Sequence, residues 1–292
     1  MYIDDISVKE VSKKTYKSSL NIFKKYIDSN KIKSPTKEDI VKYKNFIDSK
    51  NYSLRSKARH LVAVKSFFKW LNENGLYADV SKNVSMFYVP SDLISTPDLK
   101  IEDIQTILNK IDRSTEVGAR DYAMILLSVT GGLRIIEMQR ANIEDMQMIR
   151  GQKVLYIQGK GHDEKDDYIK LCPAVMDALN KYLSFKGPIK KTDPLFTGTS
   201  NRAKNKRISE PSISRIIKDR FIDAGYDCNK LSSRSLRVTG INLMIENTNN
   251  LNEVKHFARH TVLDTTDKYL KKSNQLKTNP NQTVANLILG GD

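Results

Sequence analysis

The chain has 292 residues, with 49 Lys and Arg against 34 Asp and Glu, a formal charge of +15. Such a surface seeks a polyanion, and 39% hydrophobic residues over this length suit two packed cores better than one. No apolar run approaches a membrane span, and the start MYIDDISVKE has neither half of a signal peptide, so a soluble cytoplasmic protein is expected.

Up to Tyr88, apolar residues recur at three- and four-residue steps (Leu20, Phe23, Ile27, then Leu61, Val64, Phe67, Phe68, Leu71), which predicts four or five short helices. Thr36 followed by Glu38 and Asp39 reads as a capped helix start, with the helix running to Asp48. Residues 1–88 hold 18 basic and 9 acidic residues, a net +9 of the +15. From Val89 to Asp98, two prolines among polar turn formers suit an interdomain linker. A second domain is then expected from Leu99, with helices at 101–112, 118–130 and 134–140. Strands at 153–157 and 168–171 flank a hairpin turn, GKGHDEKDD, and helices at 173–186, 211–224, 235–246 and 251–258 follow.

Several common chemistries find no support. Cys172 and Cys228 stand alone, so both are expected to be reduced and structural. His256 and His260 share a helical spacing, but Phe257 occupies the place where a zinc protease carries its Glu. The run Gly159-Lys160-Gly161 has neither the earlier glycine nor the following Ser or Thr of a nucleotide-binding loop. What remains is a domain rich in Arg and Lys. Arg234 and Arg237 lie three apart and would share a helix face, able to bracket a phosphodiester or simply to form a solvated basic face.

The segments TGGLRIIEM, the hairpin lysine Lys160, RSLRVTG and ARHTVLDTTDKYL occur in one order, and in this the chain resembles the tyrosine recombinases, or phage integrase family. The resemblance implies a mainly α fold with a small β-sheet. An all-helical SAM-like core-binding domain would span 1–88, joined by the 89–98 linker to a mixed α/β tyrosine-recombinase catalytic domain over 99–275. The tail 276–292, apolar at Val284, Leu287, Ile288 and Leu289, would dock on a neighbouring subunit.

By the same resemblance Arg134, Lys160, Arg234, Arg237, His260 and the nucleophile Tyr269 are catalytic, and Glu137 orients the first of them. Arg234 stands where the family usually has a His. Glu137 could instead form an exposed ion pair with Arg134 or Arg140. Lys42, Lys44, Arg55, Lys57, Arg59, Lys65 and Lys69 are the expected DNA-phosphate contacts of the first domain, which would clamp the duplex opposite the catalytic domain. The implied activity is site-specific recombination through a 3′-phosphotyrosine, without metal, cofactor or ATP, in a prokaryotic cell and on the nucleoid. Its partners would be double-stranded DNA carrying paired inverted half-sites, three further copies of the chain in a homo-tetramer, and accessory directionality proteins. A non-cleaving DNA-binding relative and a type IB topoisomerase-like enzyme are the rival readings.

Overall fold

The computed structural model describes residues 2–6, 10–90, 96–159, 161–200, 203–248 and 250–259. The chain divides into two compact units, residues 1–95 and 96–292.

The first unit comprises α1 (Tyr2–Asp5), α2 (Glu10–Ser29), α3 (Lys37–Asp48) and α4 (Leu54–Glu73). The expected helices are present, but α2 and α4 are 20 residues each rather than short. Their apolar stripes meet in one core: Phe23 from α2, Ile40, Tyr43 and Ile47 from α3, and Leu61, Val64 and Phe68 from α4, closed by Val84. The Phe23 ring meets Tyr43 edge-on at 4.8 Å and Phe68 at 5.9 Å, arrangements favoured by the ring quadrupoles. Thr36 caps α3 as expected: its Oγ1 accepts the Asp39 amide at 3.4 Å while Asp39 Oδ2 accepts the Thr36 amide at 2.9 Å.

In the second unit α5 (Ile101–Asn109), α6 (Glu116–Thr130) and α7 (Ile135–Arg140) precede a sheet, and α8 (Pro173–Leu183), α9 (Glu210–Asp223), α10 (Ser233–Asn247) and α11 (Leu251–Ala258) follow it. Helix α6 is buried on nearly every side, with α5, α8, α9 and α10 packed on it. Asp121 of α6, 1% exposed, is shared by Arg120 and by Arg220 of α9, each donating from Nε and Nη2 at 2.8–2.9 Å. Gly240 lets α10 approach α6, since a Cβ there would stand 2.2 Å from the Val129 carbonyl oxygen.

The sheet corrects the sequence reading. It has three antiparallel strands, β1 (Met146–Ile149), β2 (Gln152–Ile157) and β3 (Asp167–Lys170), in that spatial order, where two were expected. Leu155 lies opposite both Met146 and Ile169. Helices α5 and α8 also stop three residues earlier than expected, at Asn109 and Leu183. Cys228 is buried and free as expected, whereas Cys172, also free, is exposed at the start of α8. Among the described residues, no helix is long and apolar enough to cross a membrane.

Candidate active site

The site is built on the turn between α6 and α7. Gly131 ends α6, and Gly132 follows with φ +54°, a left-handed backbone that glycine adopts without strain. Neither position has room for a side chain. A Cβ on Gly131 would meet Ile169 Cδ1 at 2.6 Å, and one on Gly132 would meet Phe257 Cε1 at 2.9 Å. The α6–α7 turn is therefore pressed against β3 and α11, with its carbonyls available to cationic side chains.

Arg134 is the residue before α7, and Glu137 is the third residue of that helix. Glu137 folds back on the helix start: its Oε2 accepts the Arg134 amide at 2.9 Å, and its Oε1 accepts Arg134 Nη1 at 2.7 Å. The three-residue spacing thus lets one carboxylate satisfy an orphan helix amide and fix the guanidinium of the same residue. The alternative of an exposed Glu137 pair is excluded, since Glu137 is fully buried at 0%. Arg140 turns elsewhere, donating to the Gly159 carbonyl at 3.1 Å.

Two further arginines close on the same turn. Arg237 of α10, 7% exposed, donates from Nη1 to the Gly132 carbonyl and from Nη2 to the Ala258 carbonyl. Arg259, just after α11, donates to Gly131 O at 2.9 Å, Gly132 O at 2.6 Å and Phe257 O at 2.9 Å, and pairs with Glu137 Oε2 at 3.0 Å. Burial alone would raise the Glu137 carboxyl, but the Arg259 charge and the bonds from Arg134 hold it below the ordinary carboxylate range. The same burial draws the Arg259 guanidinium down despite Glu137, although an arginine remains charged in any protein setting. Arg134 and Arg259 share the one carboxylate of Glu137, while Arg237 is bonded to backbone carbonyls. The excess positive charge suits an anion. Arg134, 30% exposed at its side chain, faces a pocket walled also by Glu137, Gly159, His162, His256 and Arg259.

The turn between β2 and β3 is tethered on several sides. Gln158 Nε2 donates to the carbonyls of His162 and Asp163, both at 2.9 Å. His162 Nδ1 bonds Asp166 at 2.6 Å, and Lys165 pairs with the nearly buried Asp145 at 2.6 Å. Lys160 itself lies outside the described residues, as do His260 and Tyr269.

Of the expected catalytic residues that are described, the fold brings Arg134, Glu137 and Arg237 to one turn. Arg234, in the first turn of α10, is exposed and makes no hydrogen bond or ion pair among the described residues, unlike its buried neighbour Arg237. In the first unit Lys42, Arg55, Arg59 and Lys69 are exposed. Lys44, Lys57 and Lys65 are committed within the unit, to Ser85 Oγ at 2.9 Å, Asp48 Oδ1 at 2.9 Å and Val84 O at 2.6 Å. Arg259 was not singled out from the sequence. A signal existed, because the residue that ends a helix often adopts a left-handed backbone, and an arginine there needs compensation.

A helical N-terminal unit, a helix-rich second unit with a three-stranded sheet, and arginines converging on one turn define a tyrosine-recombinase fold. The sequence model of the phage integrase family matches residues 97–275, and that of the phage integrase N-terminal SAM-like domain matches residues 2–75. The chain belongs to the phage integrase family, and is a DNA-breaking and rejoining enzyme of site-specific recombination. It is 26% identical over 273 residues to tyrosine recombinase XerD of Listeria monocytogenes, covering 88% of this chain and 86% of that one. Against tyrosine recombinase XerC of Syntrophus aciditrophicus the figures are 27% over 284 residues, covering 88% and 86%. Its fold is similar to XerH site-specific recombinase in a post-cleavage complex with palindromic difH substrate, with TM-score 0.70, 20% identity, and 94% of this chain and 79% of that one covered. It is also similar to a lambda integrase (75–356) dimer bound to a COC′ core site, with TM-score 0.69, 13% identity, and 92% and 91% covered.

Proposed function

We propose that the turn at Gly131–Gly132 is where the scissile phosphate of DNA is bound, and that Tyr269 attacks it. The observation that carries this reading is the convergence of Arg134 and Arg237 on that turn, with Glu137 buried between Arg134 and Arg259. Arg134 presents its guanidinium to the pocket and donates to the non-bridging oxygens, stabilising the charge that builds in the pentavalent transition state. Arg237 adds its charge from behind the turn. The Tyr269 oxygen bonds phosphorus as the bond to the 5′-oxygen breaks, leaving a 3′-phosphotyrosine. Lys160 protonates the departing 5′-oxygen, and the 5′-hydroxyl later reverses the step on the partner strand. The phosphoester bond is conserved throughout, so ATP has no role. Arg234 cannot act as a base near neutral pH, so the tyrosine proton leaves to water or to the phosphate.

The active assembly in this reading is a homo-tetramer on two DNA sites, each with inverted half-sites, in the cytoplasm of a prokaryote. The apolar tail 276–292 docks on a neighbouring subunit, and accessory proteins set the direction of exchange. A mobile element is the natural carrier of such an enzyme.

The test uses a nicked suicide duplex built on the site that the protein selects from a random-sequence pool. The parent should form a covalent adduct that survives denaturing electrophoresis, and Tyr269→Phe should bind the duplex with parent affinity and form none. Adducts at parent level in Tyr269→Phe would move the nucleophile elsewhere, and their absence in the parent would leave a DNA-binding relative.

A further inference from the structure

Arg259 is the least expected residue of the site. It ends α11 with φ +48° and ψ +51°, a left-handed backbone that places a non-glycine side chain at a steric disadvantage. The surroundings maintain that conformation from both ends of the residue. Its carbonyl accepts Arg134 Nη2 at 3.4 Å, and its guanidinium reaches back to the carbonyls of Gly131 and Gly132 and to Glu137. The side chain is 7% exposed, and its buried Nε has no hydrogen-bond partner among the described residues. Its donating nitrogens are thus turned inward, toward the turn and the carboxylate.

We propose that Arg259 is a positioning residue for strand cleavage: by occupying Oε2 of Glu137 it leaves Arg134 held through Oε1, with donors still available to phosphate. The inference rests on the reading that Arg134 contacts the scissile phosphate. Removing the Arg259 side chain would leave Glu137 with Arg134 as its bonded cation. Oε2 would keep the Arg134 amide but regain an open acceptor site, and a carboxylate that can accept at both oxygens takes a guanidinium through two parallel bonds, which would draw Arg134 down onto Glu137 and away from the pocket. Glu137 would also lose the largest of the influences that hold its carboxyl low, so that burial would dominate and it would protonate at a higher pH. Among the described residues, the other charged and titratable groups that face this pocket are Lys255 and His256 from α11 and His162, Asp166 and Asp167 from the β2–β3 segment. All are unchanged by the substitution.

The experiment compares the full-length parent, Arg259→Gly, Arg259→Lys and Arg134→Ala in single-turnover cleavage of the selected suicide duplex from pH 5 to 9. DNA affinity is measured in parallel. Glycine accepts the left-handed backbone, so Arg259→Gly isolates the guanidinium. It should cleave about 10–100-fold more slowly, as outer-shell partners typically do when lost, with DNA affinity within about twofold of the parent. The acid limb of its rate profile should move upward by about one pH unit. Arg259→Lys keeps a cation beside Glu137 and should restore the parent acid limb with part of the rate. If Arg259→Gly does not fold, an unchanged cleavage rate in Arg259→Lys overturns the proposal. A parent-like rate in Arg259→Gly, or slowing uniform across pH with the acid limb unmoved, also overturns it. Parent-like cleavage by Arg134→Ala would instead sink the underlying assignment of Arg134.

Discussion

Single buried polar residues set how each unit responds to pH. His60 of α4 is 8% exposed, bonded through Nδ1 to Ser19 Oγ at 3.0 Å, and burial lowers its pKa. The folded state therefore takes up a proton less readily than the unfolded chain, whose histidines titrate near about 6.5. The stability this contributes is complete above that pH and is lost as pH falls from about 6.5 toward the lower folded value. Thermal unfolding of the full chain should show a first transition that weakens between pH 7.5 and 5, and His60→Gln should flatten that slope. An identical slope in the variant would assign the effect to another group. Glu137 acts in a lower window. Its carboxyl is depressed, so its contribution is present above the ordinary carboxylate value and is lost as pH falls through the folded one.

At the level of elements, the hairpin between β1 and β2 turns on Arg150 and Gly151, with φ +47° and +79°. Two consecutive left-handed residues mark the turn that matches the twist of an antiparallel pair. Glycine suits the second position, but arginine at the first carries a steric penalty of about 1–2 kcal/mol. Asparagine tolerates that backbone better, so Arg150→Asn should stabilise the second unit by about 0.5–1 kcal/mol, read as a raised denaturant midpoint at constant slope. A lowered midpoint would mean that the Arg150 side chain supplies a compensating contact.

The same hairpin shows where sequence patterns lose their power. Helix α3 was readable to both ends, because a local cap and apolar residues at helical spacing act within a dozen residues. Strand β1 was not, since its residues are exposed or half-buried without the alternation of a strand with one buried face. At the site, the Arg134–Glu137 pairing follows from three-residue spacing inside one helix start. The clamp of Arg237 and Arg259 on Gly132 joins residues more than a hundred positions apart, which no local period announces.

For the whole molecule the question is which positive charges serve DNA. The seven basic candidates of the first unit are not equivalent once folded. Lys57 has a side chain only 13% exposed and is paired with Asp48, and Lys65 is spent on the Val84 carbonyl, so both act within the fold. Lys42 and Arg55 are exposed, with no hydrogen bond or ion pair among the described residues. A phosphate contact releases condensed counterions, so the logarithm of affinity falls linearly with the logarithm of salt, by about 0.9 for each contact on duplex DNA. Removing an exposed cation that meets phosphate therefore lowers both the affinity and the slope. Titrations of the selected duplex at several salt concentrations should show a steep slope for the parent and slopes shallower by about 0.9 for Lys42→Ala and Arg55→Ala. Lys57→Ala should keep the parent slope and reduce the stability of the first unit instead, because it leaves Asp48 without its partner. A parent-like slope in both surface variants would place the DNA footprint of this unit on other residues, and a reduced slope in Lys57→Ala would mean that this lysine leaves Asp48 for phosphate.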